Sequence, residues 1–367
     1  MKPPTNGTVN VAVLGAAGTI APAIVTDLAA SAEVGGMVLL DLDASKAEAV
    51  SEAHGGGRSV ARAVDARDTN ELAAALDGID ALVNTASYRV NLDAMRACLT
   101  ARCHYLDLGG LYWLTVRQLE LSQQFERAGL LAVLGIGSSP GKTNLMAARA
   151  MRELDGSGVR SLEVCAAGRD PRAGDAFSPP YAVQTLLDEL TMNPVVLRDG
   201  IAIEIEPLAD GGEVEFGDPI GAAETIYTLH SELATFGSSF GASEVSFRLS
   251  LAPRLLARLK QLVGASNEAI ADAARDAVQP SSETTSVHMV RAVGSDGGSV
   301  TVRARTDPWS GLGGSIVSTA APIAAAVRLL ARGSLTAVGT HPPELCIDPD
   351  ELFAELETRG CSFSVQR

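Results

Sequence analysis

The sequence predicts an α/β fold, with an N-terminal doubly wound parallel sheet followed by a second α+β domain built on a mixed or antiparallel sheet. Three observations carry this reading. Over residues 9–134 short apolar strands alternate with segments of helical spacing. A glycine turn joins the first strand directly to the first helix. Beyond Gly141 the strand-like runs lengthen, alternate in polarity and are separated by Gly and Asp turns.

Residues 9–14 are a short β-branched apolar run. They lead into Gly15-Ala16-Ala17-Gly18-Thr19-Ile20-Ala21-Pro22 and then a helix reaching residue 30. Residues 37–40 read as a second buried strand ending in Asp41, which completes a βαβ unit. Helix 45–54, strand 59–64, helix 69–76 and strand 81–84 continue the alternation, and helix 91–101, strand 104–108, a single helix 116–128 and strand 130–134 repeat it. Residues 143–154 then read as a helix, 202–206 and 244–251 as strands, and 284–293 with 299–306 as paired strands about Ser295-Asp296-Gly297-Gly298. One helix over 255–278 covers this second sheet, and helices over 318–332 and 348–358 follow.

Composition narrows the function classes. The chain has 367 residues, 46% of them hydrophobic and 20% charged, which is ordinary for a globular protein with more than one core. A formal net charge of −15 disfavours nucleic acid and anionic membranes as partners. The five cysteines show no C-x-x-C spacing, so neither a disulfide framework nor a zinc site is suggested. Residues 1–10 hold no secretory apolar region, and no window reaches ~18 uninterrupted apolar residues. A cytoplasmic location is expected. His341, Glu344, Cys346 and Asp348 read as proline-rich loop chemistry, and no metal is expected.

Where a strand, a glycine turn and a helix coincide, the backbone can approach a pyrophosphate while helix N–H groups point at it. The spacing here is G-x-x-G-x-x-A, and its strand-before, helix-after context predicts a dinucleotide-binding Rossmann unit with Gly15, Ala17, Gly18, Thr19 and Ile20 at the phosphates. Asp41, 26 positions after Gly15, stands where a carboxylate accepts the adenosine-ribose hydroxyls and repels a 2′-phosphate, so NAD is favoured over NADP. Asp65 and Ala66 follow the third strand and are expected near the adenine. Asn84, Thr85 and Ala86 end the fourth, where cofactor and substrate meet.

Two rival motifs fail on spacing. Ser139-Pro140-Gly141-Lys142-Thr143 resembles the tail of a phosphate-binding P-loop, but Ile136 occupies the position that needs glycine. No tyrosine has a lysine four residues later, which removes the short-chain dehydrogenase pair: Leu92 follows Tyr88 at that distance, and Ser231 follows Tyr227.

The run Asp80-Ala81-Leu82-Val83-Asn84, then Tyr88, residues 98–110 ending His104-Tyr105-Leu106-Asp107-Leu108-Gly109-Gly110, Ala128-Gly129 and residues 135–144 together resemble the saccharopine dehydrogenase-like family, in particular its lysine 6-dehydrogenase members. The resemblance implies a Rossmann domain over 1–140 completed by C-terminal helices within 318–367. It also implies a substrate-binding and dimerisation domain over 141–317, so that a homodimer is expected. The implied activity is NAD-linked oxidation of an amine or amino acid at its C–N bond, giving an imine or semialdehyde. Two alternatives are reductive condensation of saccharopine or carboxynorspermidine type, and a cofactor-binding regulator without turnover.

Such an oxidation needs a neutral amine and therefore a base. The family's tyrosine falls on Tyr88 and its D-L-G-G aspartate on Asp107, the candidates for positioning or proton transfer. Lys142, one of four lysines, pairs with a substrate carboxylate, acts as a base with a lowered pKa, or sits solvated at the mouth of a cleft. Arg169 and Glu224 are the candidates for the carboxylate and amine ends of an amino-acid substrate.

Overall fold

The computed structural model describes residues 7–154, 158–174 and 176–367. The chain runs through β1 (Val9–Leu14), α1 (Ala21–Ala29), β2 (Val34–Asp41), α2 (Ala44–His54), β3 (Ser59–Ala63), α3 (Thr69–Ala75) and β4 (Ala81–Asn84). A 3-10 turn (Tyr88–Val90) precedes α4 (Asn91–Ala101), β5 (His104–Asp107), α5 (Leu111–Leu119), α6 (Ser122–Ala128) and β6 (Leu131–Val133). Next come α7 (Lys142–Glu153), β7 (Val159–Arg169), α8 (Val183–Thr191), β8 (Val195–Arg198), β9 (Ile201–Glu204), β10 (Asp210–Glu215), β11 (Ala222–Tyr227) and α9 (Glu232–Phe240). The remainder is β12 (Glu244–Ser250), α10 (Pro253–Leu262), α11 (Asn267–Asp276), β13 (Thr285–Gly294), β14 (Ser299–Thr306), α12 (Gly314–Ala331), β15 (Gly339–His341), α13 (Pro349–Glu357) and β16 (Cys361–Gln366).

These elements form two compact units, one from the described residues of 1–142 with 319–355, the other from those of 143–318 with 356–367. The first unit is a seven-stranded sheet in the order β15-β6-β5-β4-β1-β2-β3, with every pairing parallel. Helices on both faces of a parallel sheet bury its strands completely, and β4 and β6 are buried at every residue. Local chemistry starts the helices. Asp43 accepts from the Lys46 N–H at 3.1 Å to cap α2, and Asp68 caps α3 through the N–H groups of Asn70 and Glu71. The strand order reverses direction between β1 and β4, the crevice where doubly wound sheets hold their ligands.

In the second unit β7 lies at the centre of a nine-stranded sheet ordered β10-β11-β12-β7-β13-β14-β16, with β8 on β12 and β9 on β8. The β12–β7 pairing is parallel and the others are antiparallel. Leu186, Leu190, Leu259 and Leu262 from α8 and α10 form an apolar cluster with Ile226 and Leu251 on one face. Phe216 packs with Cys165, Ala167 and Val287 on the other.

Three elements differ from the sequence reading. The single helix over 116–128 is two, α5 and α6, with Gln118 and Phe125 both turned inward. The covering helix over 255–278 is also two. Gly264 takes φ +78° after α10, and the Ser266 hydroxyl accepts from the Ala269 N–H at 3.2 Å to start α11. Residues 361–366, placed with the first domain by the sequence reading, form β16, which pairs antiparallel with β14 in the second sheet. α12 is long and apolar enough to cross a membrane by composition, but 89% of it is buried inside the protein.

Candidate active site

At the β1–β4 crevice Gly15 has φ +78°, and a Cβ there would stand 2.6 Å from the Ala86 backbone nitrogen, so only glycine lets the two loops meet. The Gly15 and Ala16 N–H groups donate to the Leu40 carbonyl, and the Gly18 N–H donates back to that of Gly15 at 2.9 Å. The loop delivers the chain to α1, whose N-terminus has Pro22 in its first turn and no side-chain cap. An uncapped helix N-terminus behind a glycine turn fits a phosphate group. Thr19 is half-buried and Ile20 is buried, so Ile20 contributes its backbone position rather than its side chain.

Asp41 ends β2 and reaches into this loop. Its Oδ2 accepts from the Ala17 N–H at 3.0 Å and its Oδ1 from the Asp43 N–H at 3.1 Å. Two backbone donors thus fix the orientation of the carboxylate beside the glycine turn. Asp65 is engaged elsewhere. Arg67 grips it through Nε and Nη2, and these hydrogen bonds hold its carboxyl at about 2. Ala66 is buried in the apolar cluster beneath the sheet.

Asn84, expected to line the cofactor, turns inward instead. Its Nδ2 donates to Asn91 Oδ1 at 2.9 Å and to the Tyr105 hydroxyl at 3.1 Å, and its Oδ1 accepts from the Ala86 N–H. Thr85 also braces the loop, donating its hydroxyl to the carbonyls of Leu14 and Gly15. Both side chains shape the crevice from behind.

The same network ends on Asp107, which is 1% exposed. Its Oδ2 accepts from Gln118 Nε2 at 2.7 Å, the Tyr105 hydroxyl at 2.9 Å and Asn91 Nδ2 at 3.0 Å. Its Oδ1 accepts from the N–H groups of Gly135 at 2.6 Å and Gly109 at 2.9 Å. Burial raises its pKa against the pull of these donors. Five internal donors leave this carboxylate no free face for proton exchange with a ligand. Its geometry is that of an anchor for the loops after β4, β5 and β6, which accords with positioning, one of the two roles expected from the sequence.

Lys142 opens α7 and is completely buried, which excludes the solvated cation at a cleft mouth. Its N–H donates to the Gly137 carbonyl at 2.9 Å. Gly141 has φ +122°, and a Cβ there would lie 2.4 Å from the Gly137 nitrogen. Tyr88 lies half-buried in the 3-10 turn, with the Arg89 guanidinium 4.7 Å over its ring.

Arg169 and Glu224 are not brought together. Arg169 ends β7 and donates to the Gly168 carbonyl at 2.8 Å and to Ser250 Oγ at 2.9 Å. The register aligns Ile226 with Leu249 and Leu249 with Ala166. Glu224 therefore shares the face of Ile226, whereas Arg169, three residues beyond Ala166, points to the opposite face. Glu224 is exposed.

Residues 11–133 match the family model described as the saccharopine dehydrogenase NADP binding domain. The whole chain superposes on apo saccharopine dehydrogenase (L-Glu forming) from Saccharomyces cerevisiae with a TM-score of 0.71 and 16% identity, covering 98% of this chain and 100% of that one. The chain thus shares the fold of that saccharopine dehydrogenase. It is 28% identical over 226 residues to carboxyaminopropylagmatine dehydrogenase of Synechocystis sp., covering 59% of this chain and 56% of the relative. It is 25% identical over 212 residues to carboxynorspermidine synthase of Vibrio alginolyticus, covering 53% and 50%. The matches span about half the length of these two relatives.

The chain also holds a buried polar cluster that the sequence reading missed. In the second unit the Tyr181 hydroxyl donates to Glu189 Oε2 at 2.6 Å, His230 Nδ1 lies 3.3 Å from Glu232 Oε2, and the Thr143 hydroxyl donates to Glu232 Oε1 at 2.7 Å. The His230 ring stacks on Phe247, centroids 3.6 Å apart. Glu189, His230 and Glu232 are 4%, 6% and 1% exposed. Burial pushes the Glu189 pKa up. Burial pushes His230 down, but Glu232 and Glu189 outweigh it and its pKa is raised. The only sequence signal was a His-x-Glu spacing in Thr228-Leu229-His230-Ser231-Glu232, and the histidines read as scattered.

Proposed function

We propose that the chain is a nicotinamide-dependent oxidoreductase acting at the C–N bond of an amine or amino acid, with NAD as the preferred cofactor. The observation that carries the cofactor half is the cradle formed where Gly15 meets Ala86, with Asp41 fixed beside it. A bound nicotinamide would supply hydride transfer to or from the carbon next to nitrogen. Gly15, Ala17 and Gly18 would take the pyrophosphate and Asp41 the ribose hydroxyls. A 2′-phosphate would meet the carboxylates of Asp41 and Asp43, and Lys46 already pairs with Asp43 at 3.3 Å.

The relatives support the C–N half. A carboxyaminopropylagmatine dehydrogenase and a carboxynorspermidine synthase are named for substituted polyamines, which favours reductive joining of an amine to a carbonyl compound. Oxidation of lysine at its terminal amine is the second reading, favoured by the residue pattern from Asn84 to Asn144. In that direction the ammonium must first lose a proton, a hydrogen on the adjacent carbon would then leave as hydride, and the iminium ion so formed would lose a second proton to give the imine. Tyr88 is the candidate for orienting the amine, and Asp107 sets the loops that carry Tyr88 and Lys142.

The test is absorbance of the reduced nicotinamide. NAD or NADP is supplied with L-lysine, agmatine or 1,3-diaminopropane, and NADH or NADPH with the same amines plus an amino-acid semialdehyde or 2-oxoglutarate. Cofactor consumption that requires both organic substrates supports joining, and reduction of NAD by lysine alone supports the second reading. Tight cofactor binding with no turnover in any mixture would overturn both in favour of a regulator.

A further inference from the structure

Burying ionisable groups is costly, and when several elements converge to do so in one place the arrangement points to function. Glu189 comes from α8, Tyr181 from the segment before it, His230 from the segment after β11, Glu232 from the first turn of α9 and Thr143 from α7. Nothing in the dinucleotide half of the chemistry uses this cluster.

Glu189 is its distinctive member. Its hydrogen-bond donor is the neutral phenol of Tyr181, and among the described residues no arginine or lysine forms an ion pair with it. Two other carboxylates, Asp188 and Glu232, add to its electrostatic environment, and His230 is the group that opposes them. Independently, the hydroxyls of Thr228 and Ser231 are buried with no hydrogen-bond partner among the described residues, and those two residues are 0% and 5% exposed. Both belong to the short segment that carries His230. A buried hydroxyl without a partner is destabilising, and here two stand in a segment that also supplies a buried imidazole and carboxylate. Buried hydroxyls without a partner, in the segment that carries His230 and Glu232, suit a ligand that brings donors, and the carboxylates suit one that brings positive charge. An alkylammonium group does both, with three N–H donors and one charge.

We infer that the Tyr181–Glu189–His230–Glu232 cluster binds the ammonium group of a primary aliphatic amine. This rests on the reading of the protein as an amine oxidoreductase. Burial disfavours the charged form of Glu189, and a bound ammonium would favour it, so amine binding should drive proton release rather than uptake.

The experiment uses the full chain and two readouts that need no turnover. The His230 ring resonance, identified by its loss in His230→Asn, is followed by NMR as 1,4-diaminobutane, agmatine, L-lysine or the neutral control 1-butanol is added. Calorimetric titrations in two buffers of different ionisation enthalpy count the protons released. The amines should shift His230 and release up to about one proton per molecule bound, and 1-butanol should do neither. Glu189→Gln should weaken amine binding at least tenfold, equal to about 1.4 kcal/mol, and abolish proton release while leaving NAD binding intact.

Amine turnover without a His230 shift or proton release overturns the site and leaves the oxidoreductase reading standing. A His230 shift without hydride transfer in any mixture keeps the site and overturns that reading. Silence of every amine in every assay overturns both. If Glu189→Gln fails to fold, the wild-type titrations decide alone.

Discussion

Asp107 and Asp41 are both strand-ending aspartates, and their surroundings divide their roles. Asp107 satisfies five donors inside the first unit, so removing its charge leaves buried N–H and O–H groups facing an amide that is itself half donor. Asp107→Asn should cost about 2–4 kcal/mol, read as a fall in the urea midpoint at unchanged slope. A midpoint within experimental error of wild type would show that the network is dispensable. Asp41 has a different task. Asp41→Ser keeps a small polar group beside Ala17 and removes the charge facing a 2′-phosphate. The ratio of kcat/KM for NAD over NADP should fall about tenfold or more, near 1.4 kcal/mol. At this scale the sequence exposed residue type and position along a strand, which sufficed to place Gly15 in the turn after β1 and Asp41 at the end of β2. It could not expose side-chain direction. Asn84 and Asp107 stood at the right strand ends and turned inward, because Tyr105, Asn91 and Gln118 supply partners from other segments.

Among the elements, the glycine turn after β1 is both the most legible and the least tolerant. Gly15→Ala would place a methyl 2.6 Å from the Ala86 nitrogen in a backbone conformation that L residues seldom adopt. The strain should be about 1–3 kcal/mol, and because the loop must shift, NAD binding measured by calorimetry should weaken by more than tenfold. Unchanged affinity would mean that the dinucleotide does not depend on this cradle. Strands of the first sheet were legible because burial on both faces leaves apolar runs such as β1 and β4. Breaks within helices were less so: the α10–α11 interruption depends on Gly264 and Ser266, residues that also occur inside continuous helices.

Across the first unit as a whole, a chain of ion pairs ties distant segments together. Arg328, 3% exposed, pairs with Asp27 at 3.1 Å and Glu355 at 2.7 Å, while Arg332 pairs with Glu33 and with Glu355 at 2.6 Å. Burial opposes ionisation of Glu33, but hydrogen bonds from Ser31 and Arg332 prevail and lower its pKa from 4.5 to about 2. A carboxyl depressed by folding stabilises the protein above its unfolded value and loses that contribution as pH falls through the folded one. The urea midpoint should therefore decline as pH is lowered from 4.5 towards 2, and Glu33→Gln should flatten that part of the profile. An identical profile in the variant would remove Glu33 from the account.

The sequence by itself determined the dinucleotide unit, its glycine turn and the acidic residue beside it. These depend on periodicity and turn chemistry within about thirty residues, the length of one βαβ unit. Only the tertiary structure decided that β16 joins the second sheet, that Asp107 is an anchor, that Lys142 is buried, that Arg169 and Glu224 leave opposite faces, and that Tyr181, Glu189, His230 and Glu232 converge. Each of those outcomes depends on which strands pair and in what register. Pairing is chosen by the burial of whole faces, and it brings together residues whose local sequence carries no mark of their partners.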